Sequence, residues 1–188
     1  MESIGVTGAM HGILYTDKEG KAVSPLYTWQ DQRGDQVNPE SGMSYAKELS
    51  EITGYAMATG FGLTTHYYNT KHGLIPEEAV SFCTIPDYVA FSIAREKAPL
   101  LHQSMAASLG VYDIQKGCFD TEAIERAGMD IRMLPQVTKE NALCGKTAEG
   151  IPVAVSLGDN QASFLGSVNE ECKVCLLYTS PSPRDGAT

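Results

Sequence analysis

Basic residues are scarce in this sequence: 14 Lys and Arg stand against 23 Asp and Glu, a net charge of −9 at pH 7, and no basic cluster interrupts the acidic balance. A nucleic-acid partner therefore has no electrostatic support, and an anionic membrane surface is disfavoured for the same reason. No apolar run reaches the roughly 20 residues that span a bilayer. The start, Met1-Glu-Ser3, has neither the basic nor the long apolar stretch of a secretory signal, so the expected location is the cytoplasm. Cysteines number five, Cys83, Cys118, Cys144, Cys172 and Cys175, an odd count at irregular spacing that does not make a secreted disulfide framework. Cys172-Lys-Val-Cys175 has C-x-x-C spacing but neither a second pair nor a Cys-His partner. The four histidines, His11, His66, His72 and His102, have no mutual metal spacing, so no protein-only metal site is expected. No G-x-G-x-x-G follows a strand, which disfavours a Rossmann dehydrogenase, and no internal repeat of fixed period occurs. Nothing in the sequence sets an oligomeric state.

What is present is an ordinary globular composition, 43% hydrophobic and 20% charged over 188 residues, enough for one domain that buries roughly 70% of its unfolded surface. Residues 4–7 and 12–15 are short apolar runs that read as strand, loop, strand, and the second meets a turn at Asp17-Lys-Glu-Gly20. Residues 25–29 suit a third strand, which would leave Asp31 and Arg33 at its exit. Tyr45, Leu49 and Ile52 recur at helical spacing between Ser44, able to cap, and Gly54, able to terminate. Residues 58–66 read as a Gly/Thr-rich loop without the Gly-Lys-Ser/Thr ending of a phosphate loop. Residues 80–85 read as a buried strand, followed by a helix with Pro86 in its first turn and Tyr88/Phe91 and Val89/Ile93 at helical spacing. Asp120 to Gly128 supplies a cap, early acids and a terminal glycine, the clearest helix signature in the chain. Residues 151–157 read as a buried strand with Gly158 and Asp159 at its carboxyl end. Strands interleaved with helices predict an α/β fold.

Asp159 follows a strand and precedes a helix, a usual place for a site in α/β folds, and Gly158 and Ala162 are small enough to let a substrate approach. A carboxylate there can orient and deprotonate a hydroxyl; it can also simply cap the helix that begins at Asn160 or Gln161. Asn160 and Gln161 suit both hydrogen bonds to a polar ligand and a polar first turn. His11 can donate to one hydroxyl and accept from another, or be a satisfied loop histidine. Trp29 offers an apolar face to a ligand's C–H bonds, and Asp31 and Arg33 an acceptor and donors, although a surface ion pair of little energetic worth also fits them.

In chain order, Ile4-Gly-Val-Thr-Gly-Ala-Met-His-Gly12, Tyr27-Thr-Trp-Gln-Asp-Gln-Arg33 and Gly158-Asp-Asn-Gln-Ala-Ser-Phe-Leu-Gly166 resemble the sugar-binding half of an FGGY-family carbohydrate kinase. Between them His102-Gln-Ser-Met-Ala-Ala-Ser108 looks most like the sedoheptulokinase branch of that family. The resemblance implies the ribonuclease-H-like fold shared by sugar kinases, actin and Hsp70. It implies ATP-dependent phosphorylation of a ketose, sedoheptulose favoured, with Mg²⁺ assistance and Asp159 as the base. It also implies that Met10, His11, Trp29, Asp31, Arg33, Asn160 and Gln161 bind the sugar, with Ser104 approaching the cleft. Ala9 departs from the family's Gln-Met-His-Gly, a difference confined to that position. Another FGGY specificity (xylulose, ribulose, gluconate or glycerol) and a non-catalytic sugar-binding module are the alternatives.

Two expectations concern the ends. Cys175-Leu-Leu-Tyr-Thr-Ser-Pro-Ser-Pro-Arg-Asp185 resembles the translation of a transposase sequencing adapter, so residues 175–188 are set apart from a partial sugar-binding domain over residues 1–174. The family's Asp-x-Gly-Thr-Thr phosphate loop and nucleotide-binding C-terminal domain do not occur in these residues. The expectation is a piece truncated at both ends, with the nucleotide held by segments elsewhere and no activity of its own.

Overall fold

The computed structural model describes residues 2–140 and 142–167. The expected boundary at 174, the tail 175–188 and the Cys172/Cys175 pair lie outside the described residues. Strands β1 (Thr7–Gly8) and β2 (Leu14–Thr16) flank the Met10–Gly12 corner, and helices α1 (Tyr45–Thr53) and α2 (Gly62–His72) follow. Next come β3 (Ser81–Cys83), α3 (Ile85–Ile93), β4 (Leu100–His102) and α4 (Gln103–Leu109). The hairpin β5 (Tyr112–Asp113) and β6 (Cys118–Phe119) leads to α5 (Thr121–Arg126) and β7 (Gln136–Thr138). The described chain closes with β8 (Leu143–Lys146), β9 (Pro152–Ala154), β10 (Leu157–Gly158) and α6 (Asp159–Ser167).

The two ends of the described chain meet in one ladder. β1 runs parallel to β10, with Thr7 opposite Leu157 and Gly8 opposite Gly158. Ile4 continues the ladder along β9, its N–H donating to Pro152 O at 2.8 Å and its carbonyl accepting from Ala154 N at 2.9 Å. β8 pairs antiparallel with the far side of β9. β2 and β3 form an antiparallel pair, and β4 and β7 a parallel one. Ile13, Leu49, Leu63, Phe82, Leu101 and Leu109 are fully buried where these strands meet α1, α2 and α4, each side chain contributing roughly 1.5–3 kcal/mol by leaving water. A second small cluster of Ala90, Ala94 and Val153, with Ile4 and Val6 against it, seats α3 on the β1/β9 ladder.

Local chemistry explains where the helices begin and end. The Ser44 hydroxyl accepts from Lys47 N, and Gly54 closes α1 at φ 80°. Thr84 caps α3 by accepting from Asp87 N, with Pro86 in the first turn. Asp120 caps α5 by accepting from Ala123 N at 3.0 Å. Four expectations are corrected. Residues 25–29 form no strand: Tyr27 makes a single antiparallel bridge to Ile13, because Pro25 lacks an N–H and the chain turns away after Thr28. Asp31 and Arg33 therefore sit in a turn and a 3₁₀ helix (Arg33–Asp35), not at a strand exit. Residues 58–66 are not all loop, since α2 begins at Gly62. Burial of Leu63, Thr64, Thr65 and His66 outweighs their ordinary propensities, and Gly62 fits where a Cβ would strike Ile13 and Leu109. The apolar run 151–157 divides into β9 and β10, and α3 buries Ala90 and Phe91 while Val89 and Ile93 stay exposed.

Candidate sugar-binding site

Parallel pairing of β1 and β10 brings the segments after both strands out at one carboxyl edge. After β1 comes Met10, buried, and then His11, whose φ of 72° is left-handed. A non-glycine residue there costs on the order of 1–3 kcal/mol, so its surroundings must hold it. The His11 N–H donates to Ser108 Oγ at 3.4 Å, and Nδ1 lies 2.6 Å from the Ser108 carbonyl. Its ring stacks on Phe61, with centroids 4.9 Å apart and planes 4° from parallel. Gly12 is required by the same corner, since a Cβ there would lie 2.5 Å from Tyr27 O.

After β10 comes Asp159, exposed, as the first residue of α6 rather than the residue before it. Its Oδ1 accepts from Asn160 N at 2.8 Å, and Asn160 is exposed too. A carboxylate at that end of a helix is favoured by the positive end of the helix dipole. Gln161 turns back over the strand end. A Cβ on Gly158 would clash with Gln161 Oε1 and with Met10 Sδ, so both side chains reach over the same glycine. Gln161 Oε1 is buried and has no hydrogen-bond partner among the described residues. An acceptor left in that state costs about 1–3 kcal/mol.

The Trp29–Arg33 segment makes a second cluster. Arg33 Nε donates to Asp31 Oδ1 at 2.7 Å, and both side chains are 18% exposed. The guanidinium lies 4.2 Å over the Tyr27 ring and 5.3 Å from that of Tyr68. Arg33 Nη1 donates to Asn69 Oδ1, Asn69 Nδ2 donates to the Tyr15 hydroxyl at 3.1 Å, and Tyr15 donates onward to His66 Nδ1 at 2.9 Å. Burial lowers the His66 pKa to about 4 and pushes the Tyr15 hydroxyl up, so this relay is neutral beyond Arg33. The pair is thus an anchored corner of the domain and not a loose surface contact. Trp29 is 39% exposed, and its carbonyl abuts Gly60.

These contacts bring Met10 and Gln161 over the same residue, Gly158, with His11 next to Met10 in the chain. Trp29 joins them through Gly60 and Phe61. Asp31 and Arg33 lie beyond Tyr27 and are tied to α2. Ser104 bonds His102 Nδ1 at 2.8 Å at the start of α4, the opposite end of that helix from Ser108. The sequence reading passed over Phe61 and Ser108. Phe61 stands between Gly60 and Gly62, both hemmed in by neighbouring atoms, and Ser108 ends the motif in which Ser104 was singled out. Among the described residues no three His, Cys, Asp or Glu side chains gather as a metal ion requires, and no helix is long and apolar enough to cross a membrane.

Solved structures share this fold. The crystal structure of a xyloylose kinase from Brucella ovis superposes with a TM-score of 0.71 at 22% identity, covering 86% of this chain and 34% of that one. The fold is therefore the mixed helix and strand, actin-like N-terminal fold of the sugar kinases. The family model described as the FGGY family of carbohydrate kinases, N-terminal domain, matches residues 1–166, and the chain belongs to that family. Sedoheptulokinase of Mus musculus is 31% identical over 94% of this chain and 40% of its own length. Sedoheptulokinase of Homo sapiens is 31% identical over 92% of this chain and 40% of its own. The chain thus spans about 40% of the length of these curated relatives.

Proposed function

We propose that the protein carrying this chain transfers the γ-phosphoryl group of ATP to a primary hydroxyl of a ketose, with sedoheptulose the favoured acceptor. The observation that carries this reading is the parallel register of β1 and β10, Gly8 opposite Gly158. It sends Met10–His11 and Asp159–Gln161 to one strand edge, where α/β folds bind ligands. Phosphoryl transfer rests mainly on positioning and charge stabilisation. Met10, His11, Trp29, Asn160 and Gln161 orient the sugar, and Asp31 and Arg33 close its far side. As the sugar oxygen bonds the γ-phosphorus, its proton passes to the Asp159 carboxylate and the bond to the β-phosphate oxygen breaks, releasing ADP. Residues 1–174 act as the sugar-binding domain, and residues 175–188 have no part in it. Mg²⁺ in such reactions neutralises phosphate charge, but the described residues offer no cluster to hold it, so the steps here concern the sugar alone. Sedoheptulose is favoured by the two sedoheptulokinase relatives; the name of the Brucella ovis structure keeps a five-carbon ketose as the second reading.

The test is the complete reading frame that contains this chain, assayed for ADP release with Mg²⁺ and a panel of sedoheptulose, xylulose, ribulose, gluconate and glycerol. Sedoheptulose should give the highest kcat/KM, and Asp159→Asn should lower kcat by about 10²–10⁴-fold, the usual range for removing a general base. A folded wild-type protein that phosphorylates none of the panel overturns the kinase reading. Calorimetric binding of a sugar without transfer would then mark a sugar-binding module.

A further inference from the structure

We infer that Ser108 is a positioning residue that fixes the His11 imidazole in one tautomer, leaving Nε2 as a hydrogen-bond acceptor that reads a sugar hydroxyl and rejects the keto oxygen. This rests on the reading of Met10–His11 as a sugar contact. A backbone carbonyl can only accept, so the Nδ1 that lies 2.6 Å from Ser108 O carries the proton. In the neutral ring Nε2 then holds a lone pair and no hydrogen.

The tautomer is fixed because the ring cannot easily turn. Ser108 Oγ donates to Met105 O at 2.7 Å, which turns a lone pair toward the His11 N–H. Backbone and side chain of His11 are thus held by the same residue of α4. Phe61 fixes the ring plane from the side. A half-turn of the imidazole would set a C–H against the Ser108 carbonyl and lose the bond. Nε2 makes no hydrogen bond among the described residues, and His11 is only partly buried.

The consequence is a choice of ligand atom. A lone pair at Nε2 is satisfied by a hydroxyl donor, whereas a carbonyl oxygen brings a second lone pair and no hydrogen. Gln161 can serve both kinds of atom, since an amide carries a donor and an acceptor. Ser108 therefore sets the polarity of one contact in the site while touching no sugar itself.

Nitrogen-15 NMR of the full chain labelled at histidine tests this, with the His11 signals assigned by their loss in His11→Gln. In neutral-ring conditions the wild type should show protonated Nδ1 and bare Nε2, and sedoheptulose should move the Nε2 resonance. Ser108→Ala keeps the carbonyl but removes the Oγ that holds the His11 N–H at its left-handed φ, so the ring should slip from the carbonyl and the share of the other tautomer should rise, and Ser108→Thr should reverse this. In the complete enzyme Ser108→Ala should raise KM for the ketose by about tenfold, the worth of one hydrogen bond, with kcat nearly unchanged and Thr again restoring the wild-type value. A predominant Nε2–H tautomer in the wild type, or tautomers and KM that ignore Ser108→Ala, overturns the inference. The tautomer is read without ATP, so an active kinase can refute the role of Ser108 and an inactive chain can uphold it.

Discussion

Met10 and Gly158 leave no room between them for even one methyl group: a Cβ at position 158 would run into Met10 Sδ and Cγ and into Gln161 Oε1. All three obstructing atoms lie on flexible side chains. Gly158→Ala should therefore cost the fold only about 1 kcal/mol, the low end of overpacking. Because both side chains must move aside, sugar affinity should fall by about tenfold to a hundredfold, as expected when binding groups are misplaced by about 1 Å. Urea unfolding and calorimetric titration separate the two effects. Unchanged affinity would remove Met10 and Gln161 from the sugar contacts.

Gly60 gives the opposite result. Its φ is 81°, and what a Cβ would strike is the Trp29 carbonyl, which is backbone and cannot step aside. Gly60→Ala should lose about 3 kcal/mol, combining overpacking with left-handed strain. Gly54 at φ 80° has open space around it, so Gly54→Ala should lose only about 1 kcal/mol. Equal losses in the two variants would mean that conformational strain alone decides both.

The helices were legible because their signals are local. Ser44 and Asp120 cap where capping chemistry predicts and Gly54 ends α1, whereas Thr84, read as part of the strand 80–85, caps α3. What the sequence hid depends on distant residues. α2 starts at Gly62 with no side-chain cap, selected by Ile13 and Leu109 from other elements. The expected strand at 25–29 shrank to one bridge because pairing needs a partner of matching length, which Ile13 alone supplies. In the candidate site, Met10, His11 and Asp159 are singled out by motif and strand-end position, and the register of β1 and β10 sends their segments to one edge. Phe61 and Ser108 are not singled out, since a ring stack and a backbone carbonyl leave no pattern in the residues themselves.

Asp87 makes stability fall as pH rises. Its carboxyl is buried in the first turn of α3, and burial raises its pKa to about 6 even though Ser156 and Thr84 donate to it. Cys83 and Cys144 are its titratable neighbours, with no cation among the causes of the shift. A raised acid binds more protons folded than unfolded, so its contribution is complete below about pH 4 and is lost as pH climbs through about 6. The loss is roughly 3 kcal/mol. Asp87→Asn should abolish the slope of the urea midpoint between about pH 4 and pH 6. At the acid end of that window and below it Glu48 acts in reverse: burial raises its pKa, but bonds from Ser41, Tyr67 and Asn38 together lower it below 4.5. Its contribution is present above that value and is lost on further acidification. A midpoint that rises steadily from about pH 4 to pH 6 in the wild type would contradict the role given to Asp87.

Arg33 offers the sharpest division between fold and site, because each part of its guanidinium has a different partner. Nε serves Asp31, Nη1 serves Asn69, and the planar face lies over Tyr27. A lysine reaches one of these acceptors as a point charge and cannot stack in the same way. Arg33→Lys should leave Asn69 Oδ1 without its donor and cost about 1–3 kcal/mol in urea unfolding. Asp31→Asn keeps the stack and the Asn69 bond, removing only the charge of the pair, and should cost less than about 1 kcal/mol. If Asp31 and Arg33 also face the sugar, both variants should weaken ketose binding by similar factors despite their unequal effects on stability. Binding losses that merely follow the stability losses would make the pair a brace between residues 27–33 and α2, leaving sugar recognition to Met10, His11 and Gln161.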